Sequence, residues 1–220
     1  MIAILGGTGK EGSGLAMRWA SVGYPLIIGS RRQEKAQAMA LEIFAALNHF
    51  KLDRDAIRGM ENNAAAQQAE ICVLSVAQSA QQATLESLRA SLQGKILVDA
   101  TARVDFRDPK PPAAPAAARV AQEILGPGVR VVAAFQNIPS HALNKNLGGT
   151  LAAEVLVCAD DPDAAKQVIR LSEAGGMRAY YAGDLDVALV IEGLTSILIN
   201  LNQYYGSKTA SIRVTGIEGG

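Results

Sequence analysis

The chain has 220 residues, 49% of them hydrophobic and 5% aromatic, with 21 Lys and Arg against 21 Asp and Glu. That length admits one α/β domain of about 150 residues with a smaller appendage. The zero net charge supplies no long-range field toward nucleic acid or an anionic membrane, so neither is expected as a partner and positive charge matters only locally.

The chain opens on an apolar strand, Ile2–Leu5, without the basic flank or cleavage pattern of a signal peptide, and a cytoplasmic protein is expected. Gly7-Thr8-Gly9-Lys10-Glu11-Gly12 follows at once and leads into a helix over Gly12–Val22. A G-x-G-x-x-G pattern in the first βα turn is the dinucleotide fingerprint. Gly7 permits the tight turn, Gly9 lets the backbone approach a pyrophosphate, and Gly12 allows close helix packing, with the anion on the helix N-terminus.

A second strand, Pro25–Gly29, runs into Ser30-Arg31-Arg32, with Lys35 a turn further on and a helix over Gln33–Asn48. An enzyme that prefers NAD usually presents Asp or Glu there to the ribose 2′-hydroxyl. Here a hydroxyl and two guanidiniums are available to pair with a 2′-phosphate, and NADP is the expected dinucleotide.

Further strands are predicted over Ile71–Val76, Ile96–Asp99 and Val129–Ala134, with helices over Ser79–Leu92 and Ala116–Leu125. Between Arg107 and Ala118 lies Asp-Pro-Lys-Pro-Pro-Ala-Ala-Pro, a surface loop that can be neither helix nor central strand. After about residue 150 the alternation restarts with strand Glu154–Cys158, helix Pro162–Ala174, strand Arg178–Ala182 and an apolar helix over Asp186–Tyr205. The expected fold is α/β: a Rossmann-like, doubly wound, mostly parallel sheet (1–150) and a small C-terminal α/β unit (151–220) ending in that helix. The helix is apolar around most of its circumference and must be buried in the core or in a subunit interface, so a homodimer is expected. At Val187–Leu201 its apolar run is shorter than the ~20 residues of a spanning helix.

Ligands of open parallel sheets sit beyond the carboxyl ends of the strands. Those ends offer Ser75, Val76 and Ala77, then Ala100, Thr101 and Ala102, then Ala134, Phe135, Asn137, Ile138 and Pro139 as further cofactor-binding candidates. They are small or neutral, and Asp99 is the one ionisable residue beside them. Carbonyl or imine reduction normally needs a placed proton donor, so no catalytic acid or base is assigned. His141 alone is nearby. Tyr204-Tyr-Gly-Ser-Lys208 spells Y-x-x-x-K, but Gly206 interrupts the helix it would need. Cys72 and Cys158 sit in apolar runs as reduced thiols, and with two His no metal site is expected.

Three segments together resemble one family: Ile4-Leu-Gly-Gly-Thr-Gly9, Ile28-Gly-Ser-Arg-Arg-Gln-Glu-Lys-Ala36 and Val131-Val-Ala-Ala-Phe-Gln-Asn-Ile-Pro139. Each is similar to the NADP oxidoreductases of the 5-deazaflavin coenzyme F-420. Val155–Asp161, Glu192–Asn200 and Ser211–Gly216 are similar to later segments of that family, while Gln136 and Ala77-Gln78 depart from it. The resemblance implies NADP on the glycine loop and the Gly-Ser-Arg-Arg segment, with the deazaflavin against Phe135–Pro139 and the C-terminal helix. It implies hydride transfer between the two by ring positioning, in which small residues such as Ala102, Ala133 and Ala134 leave room for stacking. A non-catalytic NADP-sensing regulator and an NADPH-dependent flavin or ferric reductase share the glycine turn and remain open at this point.

Overall fold

The computed structural model describes residues 1–217. In chain order it comprises β1 (Ile2–Leu5), α1 (Lys10–Ser21), β2 (Leu26–Ser30), α2 (Gln33–Ala46), β3 (Ile57–Glu61), α3 (Asn62–Gln68), β4 (Ile71–Leu74) and α4 (Gln78–Leu88). Then come β5 (Ile96–Asp99), α5 (Ala117–Leu125), β6 (Arg130–Ala133), α6 (Ser140–Leu143), β7 (Val155–Ala159), α7 (Pro162–Ala174), β8 (Ala179–Gly183) and α8 (Ala188–Tyr205). One eight-stranded sheet has the order β3-β2-β1-β4-β5-β6-β7-β8. All its pairs are parallel except β6 with β7. The fold is Rossmann-like and doubly wound, and β7 and β8 extend the same sheet.

Strand alternation sorts the core into two layers. Ile2, Ile4, Val73, Val98 and Val132 pack with α1, α2 and α7, whereas Leu5, Leu74, Leu97 and Val131 pack with α4, α5 and α8. Both faces are covered, so central strands read as unbroken apolar runs, each buried Leu or Ile contributing about 1.5–3 kcal/mol. Cys72 and Cys158 are buried and free.

Three elements escaped the sequence reading: β3, α3 and the one-turn helix α6. β3 is the edge strand; only its first residue, Ile57, is buried, and Arg58, Met60 and Glu61 blur its pattern. Gly59 lets α2 cross it, because a Cβ there would lie 2.3 Å from the Ala36 carbonyl carbon. α3 is a short, polar helix, and Lys95 Nζ reaches the carbonyls of Ala66, Gln67 and Ala69 at its C-terminal end. α1 begins at Lys10, not Gly12, so Lys10 and Glu11 form its first turn. The last helix is buried on one side only. α8 buries Ala188, Ile191, Glu192, Ser196 and Leu198, but leaves Val190 67% and Ile197 53% exposed.

Polar groups close the layers. Trp19 on α1 donates from Nε1 to the Leu171 carbonyl of α7 at 2.8 Å and meets Phe135 edge-on at 5.8 Å. Arg18, buried completely, donates to the carbonyls of Lys145, Gly149 and Gly175. Burial pushes its guanidinium below its ordinary value, and the carbonyl at the end of α7 offsets the charge in place of a carboxylate. No helix among the described residues is long and apolar enough to cross a membrane.

Candidate active site

A cleft of about 780 Å³ lies beyond the carboxyl ends of β1, β4, β5 and β6. Its sheet-side wall holds Gly9, Lys10, Glu11, Ser75, Val76, Ala77, Ala100, Ala102, Asn137, Ile138 and Pro139. The opposite wall comes from Val104–Phe106, from Thr195, Leu198, Ile199 and Asn202 of α8, and from Lys208 and Ala210 beyond it. That second wall was missed in sequence, apart from the general implication of the C-terminal helix.

The glycine turn is shaped by close backbone contacts. Gly6, not Gly7, takes the left-handed conformation, at φ +75°, and its N–H donates to Asn62 Oδ1 at 3.2 Å. Gly7 is fixed by donating to the Ile4 and Gly29 carbonyls, at 3.1 and 3.0 Å. A Cβ at Gly12 would stand 2.7 Å from Gly7 Cα, so turn and helix touch through two glycines. At Gly9 the nearest atom to a Cβ would be Gly6 O at 4.0 Å. That open side, with an α1 N-cap that has no side-chain bond, is a cradle into which a pyrophosphate fits, held by first-turn N–H groups. Thr8 and Lys10 flank it.

Ser30 ends β2 beside this turn and accepts from Arg32 N at 3.3 Å. Arg31, Arg32 and Lys35 are exposed at the start of α2, and among the described residues none makes an ion pair. Cations on the rim next to the cradle suit a ribose 2′-phosphate.

Three candidates lie behind the cleft rather than in its wall. Thr101 is 2% exposed, and Ala134 and Phe135 are wholly buried. Phe135 adopts φ 77°, a costly angle for an L-residue. This turns its ring onto Trp19 and lets Gln136–Pro139 re-emerge at the cleft. Ala133 is likewise core, so the floor available for a flat ring is Ala100 and Ala102.

Asp99 also turns inward. Fully buried, it accepts from Gln81 Nε2 at 2.5 Å and Thr101 N at 2.9 Å. Burial pushes its carboxyl up to about 6, against the lowering effect of Thr101 and Gln81 and with Glu192 adding to the rise. The titratable side chains of the cleft are instead Lys10, Glu11, Asp105, His141 and Lys208. Asn137 is tied to β7, donating to the Glu154 carbonyl at 2.7 Å. No cluster of His, Cys, Asp or Glu among the described residues could hold a metal ion.

Glu11, part-buried in the first turn of α1, has Ser75 Oγ at 3.4 Å. Burial raises its carboxyl from 4.5 to about 8; the Ser75 contact opposes this and Asp99 reinforces it. The fold therefore favours the neutral acid. The stability this confers is full below the ordinary carboxylate value and is lost as pH climbs toward about 8. Glu11→Gln, neutral throughout, is expected to raise Tm more at pH 9 than at pH 5 in scanning calorimetry. Equal shifts at both pH values would show that the carboxyl is not displaced.

Comparison with known proteins turns this geometry into a family assignment. The family of coenzyme F-420-dependent NADP oxidoreductases matches residues 1–103. The F-420-dependent NADP reductase of Methanothermobacter marburgensis is 39% identical over 98% of both chains. That of Methanocaldococcus jannaschii is 38% identical over 99% of both. The chain belongs to the F-420-dependent NADP reductase family. Of solved structures, an assigned F-420-dependent NADP-reductase from Arthrobacter sp. FB24 superposes with TM-score 0.78 at 24% identity, covering 98% of this chain and 99% of that one. The NADP-bound pyrroline carboxylate reductase of Plasmodium falciparum gives 0.59 at 15%, covering 93% and 66%. At these identities the two structures establish the fold alone, which this family member shares with them over 98% and 93% of its length.

Proposed function

We propose that this chain transfers a hydride directly between NADP(H) and coenzyme F-420, by positioning two flat rings, without a protein acid or base at the reacting carbons. The observation that carries the reading is the cleft itself: the phosphate cradle continues into a neutral floor of Ala100 and Ala102, facing the apolar side chains of α8. The deazaflavin supplies a ring carbon that accepts hydride and a ring system that spreads the resulting charge. The chain's own residues then have a positional task. First-turn N–H groups of α1 hold the pyrophosphate, and Arg31 and Arg32 hold the 2′-phosphate. Ala100 and Ala102 leave space for close ring approach, and Leu198 and Ile199 exclude water from the opposite side. In this reading residues 1–150 carry NADP, residues 151–220 complete the deazaflavin half, and the protein works in the cytoplasm.

The deciding assay follows the absorbance of NADPH and of oxidised F-420 together. Loss of the two in a one-to-one ratio is expected. NADPH consumed with FMN or ferric chelates but not with F-420, or NADP bound without turnover of any acceptor, would overturn the assignment.

The same reading includes a homodimer built on α8. Val187, Val190, Leu194, Ile197, Leu201 and Tyr204 recur at alternating spacings of three and four, the seam of a paired helix. Five of the six are at least 39% exposed. Ile197→Asp is expected to halve the mass measured by light scattering at micromolar concentration. A wild-type chain that is monomeric under those conditions removes the dimer from the proposal.

A further inference from the structure

Glu192 is the most heavily bonded carboxylate among the described residues and takes no part in the chemistry above. It sits on α8, 1% exposed. Its Oε1 accepts from Arg103 N at 2.8 Å and Arg103 Nε at 2.7 Å. Its Oε2 accepts from Arg103 Nη2 at 3.1 Å and Ala117 N at 2.9 Å. One carboxylate thus grips both ends of the connection between β5 and α5. Arg103 Nη2 also donates to the Ala113 carbonyl at 2.9 Å, tying the middle of the Pro-rich stretch to the same point. Beyond this, among the described residues, only exposed amides join the connection to α8 by hydrogen bonds: Asn200 Nδ2 to the Pro109 carbonyl at 3.4 Å and Gln203 Nε2 to the Phe106 carbonyl at 3.0 Å.

The connection rises from Ala102 on the sheet-side floor and then packs along α8 in the opposite wall. The connection contributes Ala102, Val104 and Phe106, and the next turns of α8 contribute Thr195, Leu198 and Ile199. The nucleotide cradle hangs from β1 and β2, on the other side of the switch in strand order. We propose that Glu192 and Arg103 are positioning residues for the deazaflavin: their ion pair fastens α8 to the connection that starts at Ala102, and so sets the distance between that shared wall and the cleft floor, between which the ring enters. Neither residue lines the cleft. The pair is suited to this because it is directional and nearly dry. Breaking one partner leaves a buried charge uncompensated, so wall and floor have one favoured spacing. Gly193, next in sequence, helps: a Cβ there would have Pro111 and Pro112 at 3.9 Å, so the prolines lie directly along the helix.

This inference rests on F-420 as the second substrate. A wild-type chain that turns over no F-420 with NADPH refutes that reading at once, before any variant is made. The test of the pair itself uses Glu192→Gln, which keeps the shape but presents an amide donor to donors. Its KM for F-420 is expected to rise about tenfold or more, because ring placement is sensitive to shifts near 1 Å. The Kd for NADPH is expected to stay within about twofold, since the cradle lies on the far side of the sheet switch. Amides of residues 103–117 are expected to exchange faster with deuterium, those of residues 2–35 unchanged. Arg103→Lys keeps the charge but loses the two-pronged grip, and is expected to shift the same quantities in the same direction. A folded Glu192→Gln protein with unaltered KM for F-420 overturns the proposal. So does a loss of NADPH binding as large as the rise in that KM. If Glu192→Gln does not fold, Arg103→Lys decides alone: an unchanged KM for F-420 overturns the proposal and a raised one upholds it.

Discussion

Replacing Arg31 and Arg32 together by alanine is expected to weaken NADPH binding by about a hundredfold or more while leaving NADH binding nearly unchanged. Each charge-assisted hydrogen bond to the 2′-phosphate contributes roughly 1.5–3 kcal/mol, and two of them amount to at least two decades in Kd. The structure strengthens the expectation, because neither side chain has another ion-pair partner among the described residues. Both are exposed just before α2, with Arg32 at its N-cap, where alanine disturbs no core. Titration of both nucleotides against the double variant is the measurement. Equal losses for NADPH and NADH would show that the arginines do not read the 2′-phosphate.

Ala102→Leu is expected to depress turnover about a hundredfold, whereas His141→Ala is expected to leave the chemical step within about tenfold. The contrast separates positioning from acid–base catalysis. Removal of a true general acid usually costs 10²–10⁴ in rate, while a ring misplaced by about 1 Å costs about a hundredfold when alignment is the main catalytic device. Ala102 lines the cleft floor. Ala134 would not serve, because it is wholly buried and a leucine there would overpack the core. Stereospecifically deuterated NADPH is expected to deliver its label to the deazaflavin carbon without dilution. Label appearing in solvent during one turnover, or a folded His141→Ala protein with the chemical step abolished, would return a protonated carbonyl or imine substrate to consideration.

Most central strands were legible because burial on both faces makes them continuous apolar runs, and β1, β4, β5 and β6 were found within one or two residues at each end. β3 was not, since an edge strand with one packed face carries Arg58 and Glu61 and looks like a loop. The glycine turn was legible because its glycines act on neighbours within a few residues. What escaped acts at long range: Asn62 holds Gly6 from 56 residues away and Glu192 holds Arg103 from 89. No local pattern announces such pairs. Phe135 misled for another reason, because its motif marks the cleft while its own ring is turned into the core by a backbone angle that sequence does not reveal.

The placement of the last wall has a consequence for the order of assembly on the ribosome. Every strand carrying the cradle is complete by Asp99, and domains form in the direction of synthesis. Lys208 and Ala210 reach the cleft only when Ala210 N meets Asn202 Oδ1 at 2.9 Å, Glu154 N meets the Ile212 carbonyl at 3.3 Å and Val214 N meets Glu154 Oε2 at 2.5 Å. The nascent chain thus holds the whole glycine turn and the Arg31–Arg32 pair more than a hundred residues before it holds Lys208 and Ala210. A protein cut short at Gly206 would retain the dinucleotide cradle and lack two wall residues opposite Ala102, together with the strap that fastens them to β7.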